Sequence, residues 1–120
     1  MTSQHSSLTA DRWARFSRDQ QVLMISNEMN RASRLLTDSD RGSRSMAYER
    51  VLRLIDLSVE VSQSRALRRE LLRLRGLIGE LYIAEAADSS AHFAALRVLL
   101  QLTPGSAAQI PYVLSPGGVQ

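Results

Sequence analysis

Arginines at the start of one predicted helix are the residues best suited to chemistry in this chain. All fifteen basic residues are arginine, and the forked guanidinium group can hold a carboxylate or a phosphate through two parallel hydrogen bonds. The densest group is Arg65, Arg68, Arg69, Arg73 and Arg75. This group predicts a face for an anionic partner: nucleic acid, an acidic protein or an anionic lipid surface.

A second interpretation of the same arginines is local. The positive end of the helix dipole disfavours basic residues at a helix start, so these charges need compensation. Asp56 and Glu60 end the preceding predicted helix, and an antiparallel hairpin would bring them alongside, for example Glu60 beside Arg68. Such surface ion pairs contribute about 0–1 kcal/mol each. Nucleic acid is the less favoured partner, because no lysine and no base-stacking aromatic residue is interleaved with the arginines.

Enzyme chemistry finds little support in the residue types. Without cysteine, disulfides, thiolate metal sites and cysteine nucleophiles are excluded. Neither His5 nor His92 lies in a Glu-x-x-His pair, and no Gly-x-Ser-x-Gly turn or phosphate-binding glycine loop occurs. The remaining enzymatic interpretation is a pocket lined by Tyr48, Tyr82, Glu28 and an arginine, although Glu28 is expected on a solvated helix flank. We therefore predict no catalytic residue, metal or cofactor.

The elements that position these residues are amphipathic helices. Alternating steps of three and four place one apolar seam on each helix. The first predicted helix starts at a capping box, Ser17 to Gln20, and carries Val22, Ile25, Met29, Ala32 and Leu36. The third runs from Arg65 to about Ala86 and carries Leu67, Leu71, Leu74, Ile78 and Leu81. A second helix ends near Val61, and a fourth lies between Asp88 and Pro104.

A second apolar set on the third helix predicts a helix-packing or dimer interface. Leu72 and Leu77 lie outside the main seam, and Gly76 and Gly79 interrupt the helix at about 1 kcal/mol each relative to alanine. Close approach of another helix, within the bundle or from a second copy, would explain the two glycines. An RNA-clamping glycine loop is the rival interpretation, but it requires the glycines between helices.

Together these patterns predict an all-α protein, an antiparallel up-down four-helix bundle with flexible N- and C-terminal tails. The predicted organisation is a disordered tail at 1–8, the bundle at 9–103 and a Pro/Gly-containing tail at 104–120. A swapped fourth helix is the alternative architecture. No secretory signal or membrane-spanning run is found, so we expect a cytoplasmic location. The predicted function is non-enzymatic helix packing, with a second copy as homodimer or with another protein; the alternative is nucleic-acid regulation through the Arg65–Arg75 face.

Overall fold

The computed structural model describes residues 8–114, and these residues form helices with no strand among them. The prediction of an all-α protein is confirmed. A 3₁₀ turn, Asp38–Asp40, precedes the third helix. The α-helices are α1 (Ala10–Trp13), α2 (Arg18–Ser33), α3 (Arg41–Val61), α4 (Arg65–Ile83), α5 (Ser89–Leu100), α6 (Pro104–Ala107) and α7 (Ile110–Val113). The predicted N-terminal tail lies, apart from Leu8, outside the described residues.

Side-chain caps mark the start of α2, α4 and α5. The Ser17 hydroxyl accepts from the Gln20 backbone N–H at 3.1 Å, and the Gln20 side chain accepts from the Ser17 N–H at 2.8 Å. The predicted capping box is therefore confirmed. Ser64 caps α4 and Asp88 caps α5 in the same way, each accepting one backbone N–H. These bonds satisfy amide groups that the first helical turn leaves without a partner.

The core is aliphatic, and the four long helices surround it. α3 packs against α2 and α4, and α5 packs against the same two helices. The predicted seams supply much of the core, and full burial of one aliphatic side chain contributes about 1.5–3 kcal/mol. Trp13 is fully buried and donates its indole N–H to the Ser58 hydroxyl at 2.9 Å, which fixes α1 on α3. No described helix is long and apolar enough to cross a membrane.

The segment after α5 differs from the predicted C-terminal tail. Thr103 caps α6 and Pro104 occupies its first position, where a missing N–H costs nothing. The Gly105 N–H donates to the Asp19 carboxylate at 3.1 Å, and the buried Ser106 hydroxyl donates to the Leu100 carbonyl at 2.8 Å. Pro104 thus starts a helix, and α6 packs on α2.

Candidate interaction surface

Helix α4 has two apolar faces, and only one of them is buried by the fold. Leu71, Leu74, Ile78 and Leu81 are buried, as the predicted seam required, and α4 contacts α3 and α5. At 100° per residue, the opposite face of the helix consists of Leu72, Gly76, Gly79 and Ile83. We call these four residues the outer seam.

Three of the four outer-seam residues are exposed, and Gly79 is partly exposed. The side chain of Leu72 is 52% exposed and that of Ile83 is 75% exposed. A Cβ atom built on Gly76 or Gly79 would have no neighbour within 4 Å. Close approach within the bundle, one of the two predicted reasons for these glycines, is therefore wrong. The other predicted reason, a contact with a second copy, stays a prediction.

The predicted interface residues, Leu72, Gly76, Leu77 and Gly79, lie on two different surfaces of α4. Leu72, Gly76 and Gly79 share the outer seam, and Ile83, which the sequence analysis did not select, completes it. Leu77 lies on another flank of α4, where it lines a groove of about 620 Å³. Val98 and Leu102 from the α5 side line the same groove. The two exposed leucines consequently belong to different surfaces, which a list of apolar positions does not separate.

Two of the five clustered arginines contact α3 or the connection that follows it. Arg75 makes a forked contact with the Asp56 carboxylate, with N···O distances of 2.6 and 3.3 Å. Arg68 donates to the Ser62 carbonyl at 2.6 Å rather than to Glu60. Arg75 is thus compensated by an acid of α3, as the local interpretation predicts, whereas Arg68 binds a backbone carbonyl instead of the predicted Glu60.

The other three clustered arginines are more available. Arg73 approaches Glu70 on its own helix at 3.5 Å, and its side chain is well exposed. Arg65 and Arg69 are exposed and continue the outer seam toward the helix start; neither guanidinium has an ion pair among the described residues. Glu80, also exposed, likewise has no ion pair within residues 8–114. Of the five predicted arginines, Arg65, Arg69 and Arg73 therefore lie on the side of α4 that carries the outer seam or next to it, and the anionic-partner face stays a prediction.

A buried polar network joins three helices away from this surface. His92 on α5 is fully buried; its Nδ1 lies 2.8 Å from the Tyr48 hydroxyl on α3, and its Nε2 lies 2.8 Å from the Ser33 hydroxyl on α2. The Ser33 hydroxyl also donates to the Met29 carbonyl at 3.0 Å. One neutral tautomer satisfies every bond: Tyr48 donates to Nδ1, and Nε2–H donates to Ser33.

Burial sets the protonation of this network. Burial lowers the pKa of His92 to about 4, and a backbone hydrogen bond with Met29 opposes the shift. Burial also raises the pKa of Tyr48 to about 12, with Arg44 opposing the shift and Asp88 adding to it. Both groups are therefore neutral at pH 7. Because the His92 ring has no exposed surface, the network holds helices together and presents no base to a substrate.

The residues predicted to share an enzymatic pocket form separate contacts. Glu28 is buried rather than solvated, and its carboxylate accepts from Arg50 at 2.9 Å, with Arg31 at 3.8 Å. Tyr82 donates to Glu49 at 2.7 Å on the exposed side of α3 and α4. Tyr48 belongs to the histidine network. Within residues 8–114, no group of three histidine or acidic side chains is placed to hold a metal ion.

The buried network had no signal in the sequence, whereas the second apolar set and the two glycines of α4 predicted every outer-seam residue except Ile83. Ser33 and Tyr48 lie 59 and 44 positions from His92, so only the fold brings them together. No protein-family model, curated protein or solved structure matches the chain.

Proposed function

We propose that the chain is a non-enzymatic helical-bundle protein that acts by self-association, with the outer seam of α4 packed against the outer seam of a second copy. The observation that carries this proposal is the exposure of Leu72 and Ile83 on either side of two unobstructed helical glycines. A partner that covers exposed aliphatic side chains removes them from water, which favours association. Glycine at the point of crossing lets two helix backbones approach closely.

The bundle supplies a rigid support for this surface. We take α2, α3, α4 and α5 to run up and down in antiparallel order, as their short connections favour. The ring of contacts in which each long helix touches two others supports this arrangement. α4 has nineteen residues and is about 28 Å long, so one helix pair forms a small interface. We therefore expect a reversible dimer whose population depends on concentration.

The alternative function, nucleic-acid binding through Arg65, Arg68, Arg69, Arg73 and Arg75, has weaker support. Arg68 and Arg75 already have partners on α3 or in the connection that follows it. Releasing those contacts would offset part of the gain from binding phosphate. Three arginines next to an exposed leucine and isoleucine are typical of the polar rim of a protein–protein interface rather than of a surface that binds a nucleic-acid backbone.

Size-exclusion chromatography with light scattering, run from micromolar to near-millimolar protein, tests the proposal. The wild-type mass should rise from 13.4 kDa toward twice that value. Leu72→Glu should remain monomeric, because it places a carboxylate in the contact. Met46→Glu is the matched control, since Met46 is similarly exposed at 59% but lies on α3. A monomeric wild type at every concentration, or an unaffected Leu72→Glu variant, would overturn the proposal.

A further inference from the structure

The spacing between successive outer-seam residues is the same whether it is counted from the N-terminal or the C-terminal end of α4. Its residues follow one another in steps of four, three and four. In an antiparallel pair related by a two-fold axis, Gly76 would meet the partner's Gly79 and Leu72 would meet the partner's Ile83. A parallel pair would instead place every residue against its own copy. Apolar packing alone does not choose between the two orientations, so the choice depends on the flanking charges.

Charged flanks favour the antiparallel orientation. Arg73 and Glu80 lie on the same flank of the outer seam, seven residues apart. A two-fold axis of this kind brings a flank against the same flank of the partner. Each Arg73 would then face the partner's Glu80 at both ends of the contact. Both side chains are exposed, and Arg73, which lines the Leu77 groove beside Glu70 at 3.5 Å, would turn from that groove to reach the partner. Opposite charges on this flank therefore face each other only when the two helices are antiparallel.

Like charges oppose the parallel orientation. Arg65 and Arg69 continue the outer seam toward the start of α4, so a parallel pair would place each against its own copy. Facing like charges destabilise a helix pair. In the antiparallel pair Arg69 would lie near the end of the partner's α4. There the negative pole of the helix dipole and the partner's exposed Glu85 favour a positive charge.

We infer that the partner of the outer seam is a second copy of this chain in antiparallel orientation, with its two-fold axis between Gly76 and Gly79 and with Arg73 paired to the partner's Glu80. This inference rests on the proposed self-association and adds its geometry. The clustered arginines then have a use that involves no nucleic acid: they set the orientation of the dimer.

Disulfide trapping tests the orientation directly, because the native chain has no cysteine. Leu72→Cys and Ile83→Cys are made singly, and the two proteins are oxidised separately and as a mixture. The mixture should give mainly the mixed disulfide. In the antiparallel pair, two Leu72 positions are about 16 Å apart along the helix, beyond the roughly 7 Å that a disulfide spans between Cα atoms. Leu72→Cys that traps itself as fast as the mixture would show a parallel dimer and overturn the inference.

A charge exchange tests the pairing. Arg73→Glu and Glu80→Arg should each raise the dissociation constant about tenfold at low salt, because each converts both attractive pairs into repulsive ones. The double variant should return to within about threefold of wild type, since it restores opposite charges. Failure of the double variant to recover, while wild type still dimerises, would overturn the inference and leave the proposed function standing. A monomeric wild type would instead remove the proposed function.

Discussion

Tyr48 on α3 donates its hydroxyl hydrogen to Nδ1 of His92 on α5 at 2.8 Å, across 44 positions of sequence. Because Nε2–H of the same ring meets Ser33 at 2.8 Å, one imidazole satisfies polar groups from three helices. A buried ring in this position is stable only while it is neutral, since protonation would put a charge into the core and remove the acceptor that Tyr48 needs.

The first prediction concerns acid stability. The pKa of His92 is lowered from 6.5 to about 4 in the folded protein, so the unfolded chain binds more protons between those values. The contribution of His92 to the free energy of unfolding should therefore be complete above pH 6.5, and it should be lost progressively as the pH drops toward 4. The shift corresponds to about 3 kcal/mol in all. Urea denaturation at pH 7.5, 5.5 and 4.5 measures the loss.

The control for acid stability is His92→Gln, which keeps an amide N–H for Ser33 but does not titrate. This variant should be less stable than wild type at pH 7.5 and should lose less stability between pH 7.5 and 4.5. Carboxylates titrate in both proteins, so the difference between the two slopes belongs to His92. Equal slopes would contradict the prediction.

The second prediction concerns the buried carboxylate of Glu28. Arg50→Met removes the guanidinium that lies 2.9 Å from this carboxylate, while the Arg31 guanidinium stays at 3.8 Å. We expect the free energy of unfolding to fall by about 1–3 kcal/mol, because a buried charge loses its hydrogen-bond donor. Glu28→Met combined with Arg50→Met should recover at least half of that loss, since no uncompensated charge remains. A double variant as unstable as the sum of its single variants would show that packing, not charge, holds this pair.

The third prediction concerns the docking of α6. A Cβ atom on Gly105 would overlap the carboxylate of Asp19, which accepts the Gly105 N–H. Gly105→Ala should therefore displace the Asp19 side chain, cost about 1 kcal/mol through loss of that hydrogen bond and speed hydrogen exchange of the Ser106 and Ala107 amides. Gly42→Ala serves as the control, because nothing lies within 4 Å of a Cβ there. If Asp19→Ala fails to relieve the exchange effect in combination with Gly105→Ala, the overlap is not its cause.

Local signals were enough to predict the helical framework. The capping box at Ser17 and the seam through Leu74 act within a few turns of chain, and the structure has both. Thr103 followed by Pro104 carried an equally local signal for a helix start, in a segment predicted to be a tail from Pro104 onward. The burial of His92 and Glu28 depended on Tyr48 and Arg50, 44 and 22 positions away. Contacts between residues so far apart in the sequence are set by the packing of helices, which a local residue pattern does not encode directly.

The interface prediction was limited in the same way. Periodicity indicated that α4 carries apolar residues beyond its main seam, but it did not reveal that α5 packs beside Leu77 while Leu72 stays outside. The two glycines indicated a contact more strongly than either leucine did, because glycine inside a helix lowers stability and no local feature of the sequence explains its presence.

The last prediction uses that cost to separate folding from association. Gly76→Ala should raise the free energy of unfolding of a monomer by about 0.5–1 kcal/mol, because alanine is the better helix former and the added methyl group meets no atom within 4 Å. In the dimer the same methyl group would meet the partner's backbone near Gly79. It should therefore raise the dissociation constant about tenfold, in line with a 1–2 kcal/mol steric penalty.

The two effects have opposite signs and are measured separately. Urea denaturation of Gly76→Ala in the Leu72→Glu background, where the dimer is absent, reports the monomer. Sedimentation equilibrium of Gly76→Ala alone reports association. If the glycine has no role in contact, Gly76→Ala should stabilise the monomer and leave the dissociation constant unchanged, and the outer seam would then not be where the two copies meet. A gain in monomer stability together with weaker association would show that the chain keeps a destabilising residue because a second helix must lie against it.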